Sequence, residues 1–333
     1  ALLLIAVMVF AMAACAPADQ PGGDETPTYA IVCKDASNPY MKRMVSGFKT
    51  ACEKLGVNFV EKSPETTSAQ DQITIVNELI AQGVKAIAIA ANDAAALEAT
   101  LKTATEAGIA IVTLDSDTKG SQMFINQAGV KEVAQVLVDS IYDMADGEGE
   151  FAILSASSTA TNQNAWIDAM EEIIAADSKY ANLVWKETVY GDDEPTKSTT
   201  ETQNLLTKYP NLEVICCPTT VGILAAAQTV ESTEGCTVKI AGLGLPSEMK
   251  DYVGEGKACP YMYLWNPIDV GNCGAYMIKA ILDGKVGAVD TTFAAENDKT
   301  YTVMAGDPAE KQIIVGPPFQ FTGENIAEWA GVY

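Results

Sequence analysis

Histidine is absent from all 333 residues. That removes Ser-His and Cys-His nucleophilic catalysis, histidine-ligated metals and histidine-based pH switching together. Basic charge is scarce as well, with 21 Lys and Arg against 44 Asp and Glu, a formal net charge of −23. A surface of that sign repels phosphate backbones and anionic lipid headgroups, which excludes nucleic-acid partners. The chain has no G-x-x-x-x-G-K-[ST] and no G-x-S-x-G, and Gly242-Leu243-Gly244 lacks the third glycine of a dinucleotide loop. Asp115-Ser116-Asp117-Thr118-Lys119-Gly120 begins like a calcium loop. Lys119 occupies a ligand position there, and Asn126 stands where the bidentate glutamate belongs. Carboxylates are plentiful, yet no spacing selects a pair for hydrolysis. No metal, cofactor or catalytic residue is implied.

Disulfide arithmetic fails too. Setting Cys15 aside leaves seven of the eight cysteines, an odd number, and none forms C-x-x-C. Cys33, Cys52, Cys216 and Cys217 sit in apolar stretches and read as core residues. One bridge among Cys236, Cys259 and Cys273 stays open. Residues 1–14 (ALLLIAVMVFAMAA) are uncharged and end in small residues, the pattern of a secretory signal lacking its basic start. Met12-Ala13-Ala14-Cys15 resembles a bacterial lipobox, which would make Cys15 a lipidated N-terminus. The polar Pro/Gly segment that follows suits a tether, so residues 15–28 are read as lipidated cysteine and linker.

From Tyr29 onward, strand and helix patterns alternate with short connections. Tyr29–Lys34, Ala86–Ala91 and Ile109–Leu114 are nearly continuous apolar runs, as expected of parallel strands buried on both faces. Asn38, Pro39 and Gly56 bracket a helix as cap, first residue and stop. The pattern restarts after Phe124-Ile125-Asn126, which predicts an α/β chain of two similar lobes with parallel sheets. Thr300–Val315 reads as a β-ribbon.

Open parallel sheets bind ligands beyond the carboxyl ends of their strands. Lys34, Asp35, Ser37, Asn38 and Tyr40 follow the first strand, Asn92 and Asp93 the third, and Asp115 the fourth. The second half offers Asn162, Gln163 and Trp166, then Pro218, Thr219 and Thr220, and finally Trp265 and Asn266. Carboxylate, amide, ammonium and hydroxyl groups beside aromatic rings suit a neutral polyhydroxylated ligand: hydroxyls donate and accept, while the C–H face of a sugar stacks on a ring. The same polar residues also serve as ordinary caps and Asx-turns.

These residues resemble the solute-binding lipoproteins of bacterial sugar ABC transporters, in the ribose-binding-like class. Asn38-Pro39-Tyr40, Thr113-Leu114-Asp115-Ser116-Asp117 with Phe124-Ile125-Asn126-Gln127, Thr161-Asn162-Gln163-Asn164-Ala165-Trp166 and Gly316-Pro317-Pro318 carry the likeness. They are similar to the branch containing rhamnose-binding and autoinducer-2-binding proteins. The resemblance implies a type I periplasmic binding protein, two Rossmann-like lobes joined by three hinge crossings, here expected near Asn126, Leu264 and Lys299. Residues 29–125 plus 265–298 would form the N-terminal lobe, and 126–264 plus 299–333 the C-terminal lobe. It also implies ligand contacts at Lys34, Asp115, Asn162, Gln163, Pro218 and Thr220. Autoinducer-2 receptors usually carry Asp at the position of Asn162 and Ala at that of Thr220, so this chain departs at two of six. Tyr40, Asp93, Trp166, Trp265 and Asn266 complete the expected pocket.

The implied function is an extracytoplasmic, lipid-anchored, monomeric protein that captures a monosaccharide, a rhamnose-like hexose favoured, and delivers it to ABC permease subunits. Autoinducer-2 capture is the alternative, and a secreted glycoside-acting enzyme the third. Turnover of the ligand would separate the enzyme from both binding readings.

Overall fold

Apolar runs bounded by caps and turns build two parallel sheets in the computed structural model, which describes residues 26–296 and 299–333. The signal sequence, Cys15 and most of the tether lie outside the described residues. The first half comprises β1 (Thr28–Val32), α1 (Pro39–Leu55), β2 (Asn58–Glu61), α2 (Ala69–Gln82), β3 (Ala86–Ile89), α3 (Ala94–Glu106), β4 (Ala110–Leu114) and β5 (Met123–Asn126). Local signals set these bounds: Asn38 Oδ1 accepts from Tyr40 N at 2.9 Å, Pro39 opens α1, and Gly56 ends it in the left-handed region at φ 68°.

The second half runs α4 (Val130–Met144), β6 (Gly149–Ser155), α5 (Thr161–Ala176), β7 (Leu183–Tyr190), α6 (Pro195–Lys208), β8 (Leu212–Cys217), α7 (Thr220–Ser232), β9 (Lys239–Gly242), α8 (Pro246–Met249) and β10 (Tyr261–Leu264). Helix α9 (Pro267–Leu282) follows. The chain ends with β11 (Thr292–Ala294), β12 (Thr300–Thr302), β13 (Met304–Ala305), β14 (Lys311–Ile314), β15 (Phe319–Thr322) and α10 (Ile326–Trp329).

The first sheet is ordered β2-β1-β3-β4-β5-β14-β13 and the second β7-β6-β8-β9. Both begin second-first-third-fourth, so each reverses direction once and opens a crevice at its carboxyl edge. Antiparallel β10 and β15 extend the second sheet through a bridge between Leu243 and Tyr263. Helix α9 returns to the first half, where it packs on α1 with almost no gap. A Cβ on Gly271 would stand 1.9 Å from Met44 O, and one on Gly47 2.0 Å from Ile268 O. Only glycine lets the two backbones approach so closely.

The chain passes between the two sheets at residues 127–129, between β5 and α4, and at Trp265-Asn266, between β10 and α9. The third passage differs from the expectation near Lys299. Strand β14 pairs in parallel with β5 through Gln312–Phe124, Ile313–Ile125 and Ile314–Asn126, so the chain stays with the first sheet beyond residue 299. Crossing occurs at Val315-Gly316-Pro317-Pro318, immediately before β15. Two prolines without N–H donors cannot continue the ladder, which frees the chain to leave the sheet there. The anticipated ribbon exists only as two short hairpins, β11–β12 and β13–β14. Residues 299–314 therefore belong with the first sheet rather than the C-terminal lobe.

All seven described cysteines are free, and six are buried. Among the described residues, no helix is long and apolar enough to cross a membrane.

Candidate functional site

The carboxyl edges of the two sheets face each other across a small cavity that both of them line. Each wall is fixed by its own sheet. On the first, Gln72 of α2 pins the strand ends: its Nε2 donates to Cys33 O at 3.0 Å and Ala90 O at 2.7 Å, and Asn92 N donates to its Oε1 at 2.9 Å. Lys34 leaves β1 at that point. Asp115 leaves β4 with φ 61°, a left-handed conformation that Asp tolerates better than most residues and that turns its carboxylate aside from the strand direction.

Lys34 Nζ lies 3.0 Å from Asp115 Oδ2, and both side chains are 4% exposed. Across the cleft, Asn162 from the first turn of α5 joins the pair. Its Oδ1 accepts from Lys34 Nζ at 2.9 Å and Ser116 Oγ at 3.0 Å, while its Nδ2 donates to Asp115 Oδ2 at 3.0 Å. On the other oxygen, Asp115 Oδ1 accepts from Tyr40 OH at 3.0 Å, and that hydroxyl accepts from Trp265 Nε1 at 2.7 Å. Burial, with the Asp115 charge beside it, pushes the Tyr40 hydroxyl well above its usual range, so it remains a donor. Trp265 meets Trp166 at 5.6 Å between ring centroids and Tyr40 edge-on at 6.4 Å. An aromatic wall thus stands beside a charged hydrogen-bonding floor.

Lys34, Tyr40, Asp115, Asn162, Gln163, Trp166, Pro218, Thr220 and Trp265 all line this cavity. Asp93 and Asn266 do not. Both are half-buried helix caps: Asp93 Oδ1 accepts from Ala96 N at 3.0 Å, and Asn266 Oδ1 accepts from Ile268 N at 3.0 Å. Each is the first acidic or amide group before a helix, and the free N–H groups of the first turn claim it.

Asp193, Asn38, Met41, Thr219, Leu243 and Leu264 complete the lining. Of these, Asn38 and Thr219 already stand among the polar residues that follow apolar strands in the sequence, and Asp193 is the further one with a legible signal. It stands three residues beyond β7, much as Asp115 stands one beyond β4. Asp117, by contrast, is buried away from the cavity, where it accepts from Ser121 Oγ at 3.1 Å and Ala309 N at 2.9 Å. Burial raises its carboxyl above the ordinary range.

The cavity offers donors and acceptors without a nucleophile–base arrangement. Gln163 Oε1 is a buried acceptor with no partner among the described residues, and such an atom carries a desolvation cost that a ligand hydroxyl would relieve. Among the described residues no cluster of His, Cys, Asp and Glu could hold a metal ion.

Similarity to known proteins agrees with this arrangement. A profile of the periplasmic binding protein domain matches residues 29–286. A ribose import binding protein of Salmonella typhimurium is 22% identical over 262 residues, covering 78% of this chain and 86% of that protein. An ABC transporter solute-binding protein from Clostridium phytofermentas, solved with bound L-rhamnose, is 46% identical at a TM-score of 0.89, covering 93% of this chain and 99% of that one. The LsrB protein of Clostridium saccharobutylicum, solved with AI-2, shares the fold at 23% identity and a TM-score of 0.84, over 91% and 99% of the two chains. A match across most of the chain, together with two sheets closing on one shared cavity, places this chain in the periplasmic binding protein family, which binds solutes and does not transform them.

Proposed function

We propose that this chain captures a monosaccharide, L-rhamnose or a close relative, outside the cytoplasm and delivers it to an ABC permease. One observation carries the ligand class: a cavity with a Trp166–Trp265 wall and the Lys34–Asp115–Asn162 floor, in a chain 46% identical to a protein solved with L-rhamnose. Binding is a hinge equilibrium, shifted because ligand hydroxyls engage groups from both sheets only when these approach. Lipidation at Cys15 would hold the monomer at the membrane, with the polar segment after it as tether.

Autoinducer-2 capture is the second reading, favoured because Lys34, Asp115, Asn162, Gln163, Pro218 and Thr220 line the same cavity. Competition calorimetry with L-rhamnose, other deoxysugars, pentoses and autoinducer-2, in borate-free buffer, decides between them. Tighter binding of autoinducer-2 than of every sugar would overturn the rhamnose reading. Saturation at about 100 times Kd should also add roughly 2.7 kcal/mol of stability, readable as a rise in melting temperature.

A further inference from the structure

The loop after β7 has an unusual backbone for so short a turn. Asp192 and Asp193 are consecutive non-glycine residues in the left-handed region, at φ 54° and 53°. Such conformations persist where the surroundings over-determine them, and here they do. Gly191 N donates to Ser155 O at 2.9 Å, Asp192 N to Ala156 O at 2.9 Å and Glu194 N to Gly191 O at 2.9 Å. Lys197 Nζ holds Asp192 Oδ2 at 2.5 Å. From the opposite wall, Thr67 Oγ1 donates to Asp192 O at 3.3 Å.

All this fixes one side chain. Asp193 is 8% exposed and lines the cavity, where its Oδ1 accepts from Thr219 Oγ1. Asp193 and Asp115 are the carboxylates among the lining residues, and Lys34 is the cation. The Lys34 ammonium is already committed to Asp115 and Asn162 at 3.0 and 2.9 Å, which leaves Asp193 with a single neutral donor. A buried carboxylate has about four acceptor sites and needs several donors to offset lost hydration.

We infer that Asp193 is a specificity-determining residue, the second wall's acceptor for one ring hydroxyl of the sugar. The inference rests on the proposed sugar-binding function and deepens it. Burial raises the Asp193 carboxyl above its ordinary range, opposed by the Thr219 hydroxyl and the Lys34 charge, as expected for an acceptor short of donors. Two carboxylates against one ammonium also disfavour anionic ligands such as sugar acids.

The test is a cycle that pairs Asp193→Asn with four analogues of L-rhamnose, each lacking one of its four ring hydroxyls. The asparagine keeps an acceptor for Thr219 and tolerates positive φ, and the ligand-free melting temperature checks that the fold persists. L-rhamnose affinity should fall at least about tenfold, the order of one charged hydrogen bond. For one analogue the variant and the wild type should then differ little, because the hydroxyl that Asp193 accepts is already gone. Equal loss for all four analogues would assign Asp193 a merely structural role and overturn the inference, as would wild-type affinity for L-rhamnose. Thr219→Val provides a second arm, since it should weaken binding without selecting any single analogue. If the wild type binds no sugar at all, the proposed function itself fails, a result visible before the cycle begins.

Discussion

Asn162 works as a neutral bridge, receiving hydrogen bonds from Lys34 and Ser116 and giving one to Asp115 Oδ2 at 3.0 Å. An amide does both from one side chain, through separate oxygen and nitrogen atoms. Asn162→Asp would set a second carboxylate against Asp115 in a buried place, and like charges so close cannot both ionise cheaply. The variant should therefore bind the sugar more weakly than the wild type, by roughly tenfold in calorimetry. Wild-type affinity in the variant would mean that Asn162 stands apart from Asp115 in solution. Asp115 itself is best tested with Asn, which tolerates the φ of 61° better than Ala. Asp115→Asn should cost about 1.5–3 kcal/mol of binding, a loss of roughly tenfold or more by calorimetry. The melting temperature of the ligand-free protein should fall as well, because the buried Lys34 ammonium loses its counter-charge. Residue types after apolar strands make eleven of the pocket's side chains legible in the sequence, Asn38 and Thr219 among them. Asp93 and Asn266 were misread because a cap and a ligand contact use the same chemistry, and only the backbone N–H beside each one separates the two.

At the scale of elements, the sequence showed alternation and concealed partnership. Strand β14 carries one fully buried apolar residue, Ile313, between Gln312 and half-buried Ile314, so nothing local distinguished a hairpin arm from the sixth strand of a sheet whose adjoining β5 lies almost two hundred residues earlier. The contact of α1 with α9 was equally hidden, because Gly47 and Gly271 read in isolation as weak points in helices. Their role follows from the backbone approach, at which an added Cβ meets a carbonyl oxygen within 2.0 Å. Gly271→Ala should force the helices apart and destabilise the fold by about 1–3 kcal/mol. At roughly 2–4 °C per kcal/mol for a domain of this size, thermal unfolding would register it plainly. Sugar affinity at a temperature where the variant is folded should stay near wild type, since neither glycine lines the cavity. Unchanged melting would show that the two helices sit further apart than described.

For the whole molecule, function depends on two sheets that approach through three passages of chain, and on a cavity neither wall completes alone. Lys34, Tyr40 and Asp115 stand on the first wall, Asn162, Gln163, Trp166, Asp193 and Thr220 on the second. Opening must break Lys34–Asn162 and Asn162–Asp115, hydrogen bonds that return some stability to the closed form, about 0.5–3 kcal/mol each. Ligand hydroxyls add to that side of the balance only when both walls reach them. Closure should therefore be saturable by sugar and visible at long and short range. Small-angle scattering should show a smaller radius of gyration at saturation. Trp166 and Trp265, 5.6 Å apart between centroids, should change fluorescence in step with it, because one ring stands on α5 and the other on the second passage. Trp185→Phe and Trp329→Phe should leave that signal intact, as neither side chain lines the cavity. A constant radius with a changing fluorescence would confine the ligand's effect to the aromatic wall. Constancy of both at proven saturation would leave the hinge without a role in binding.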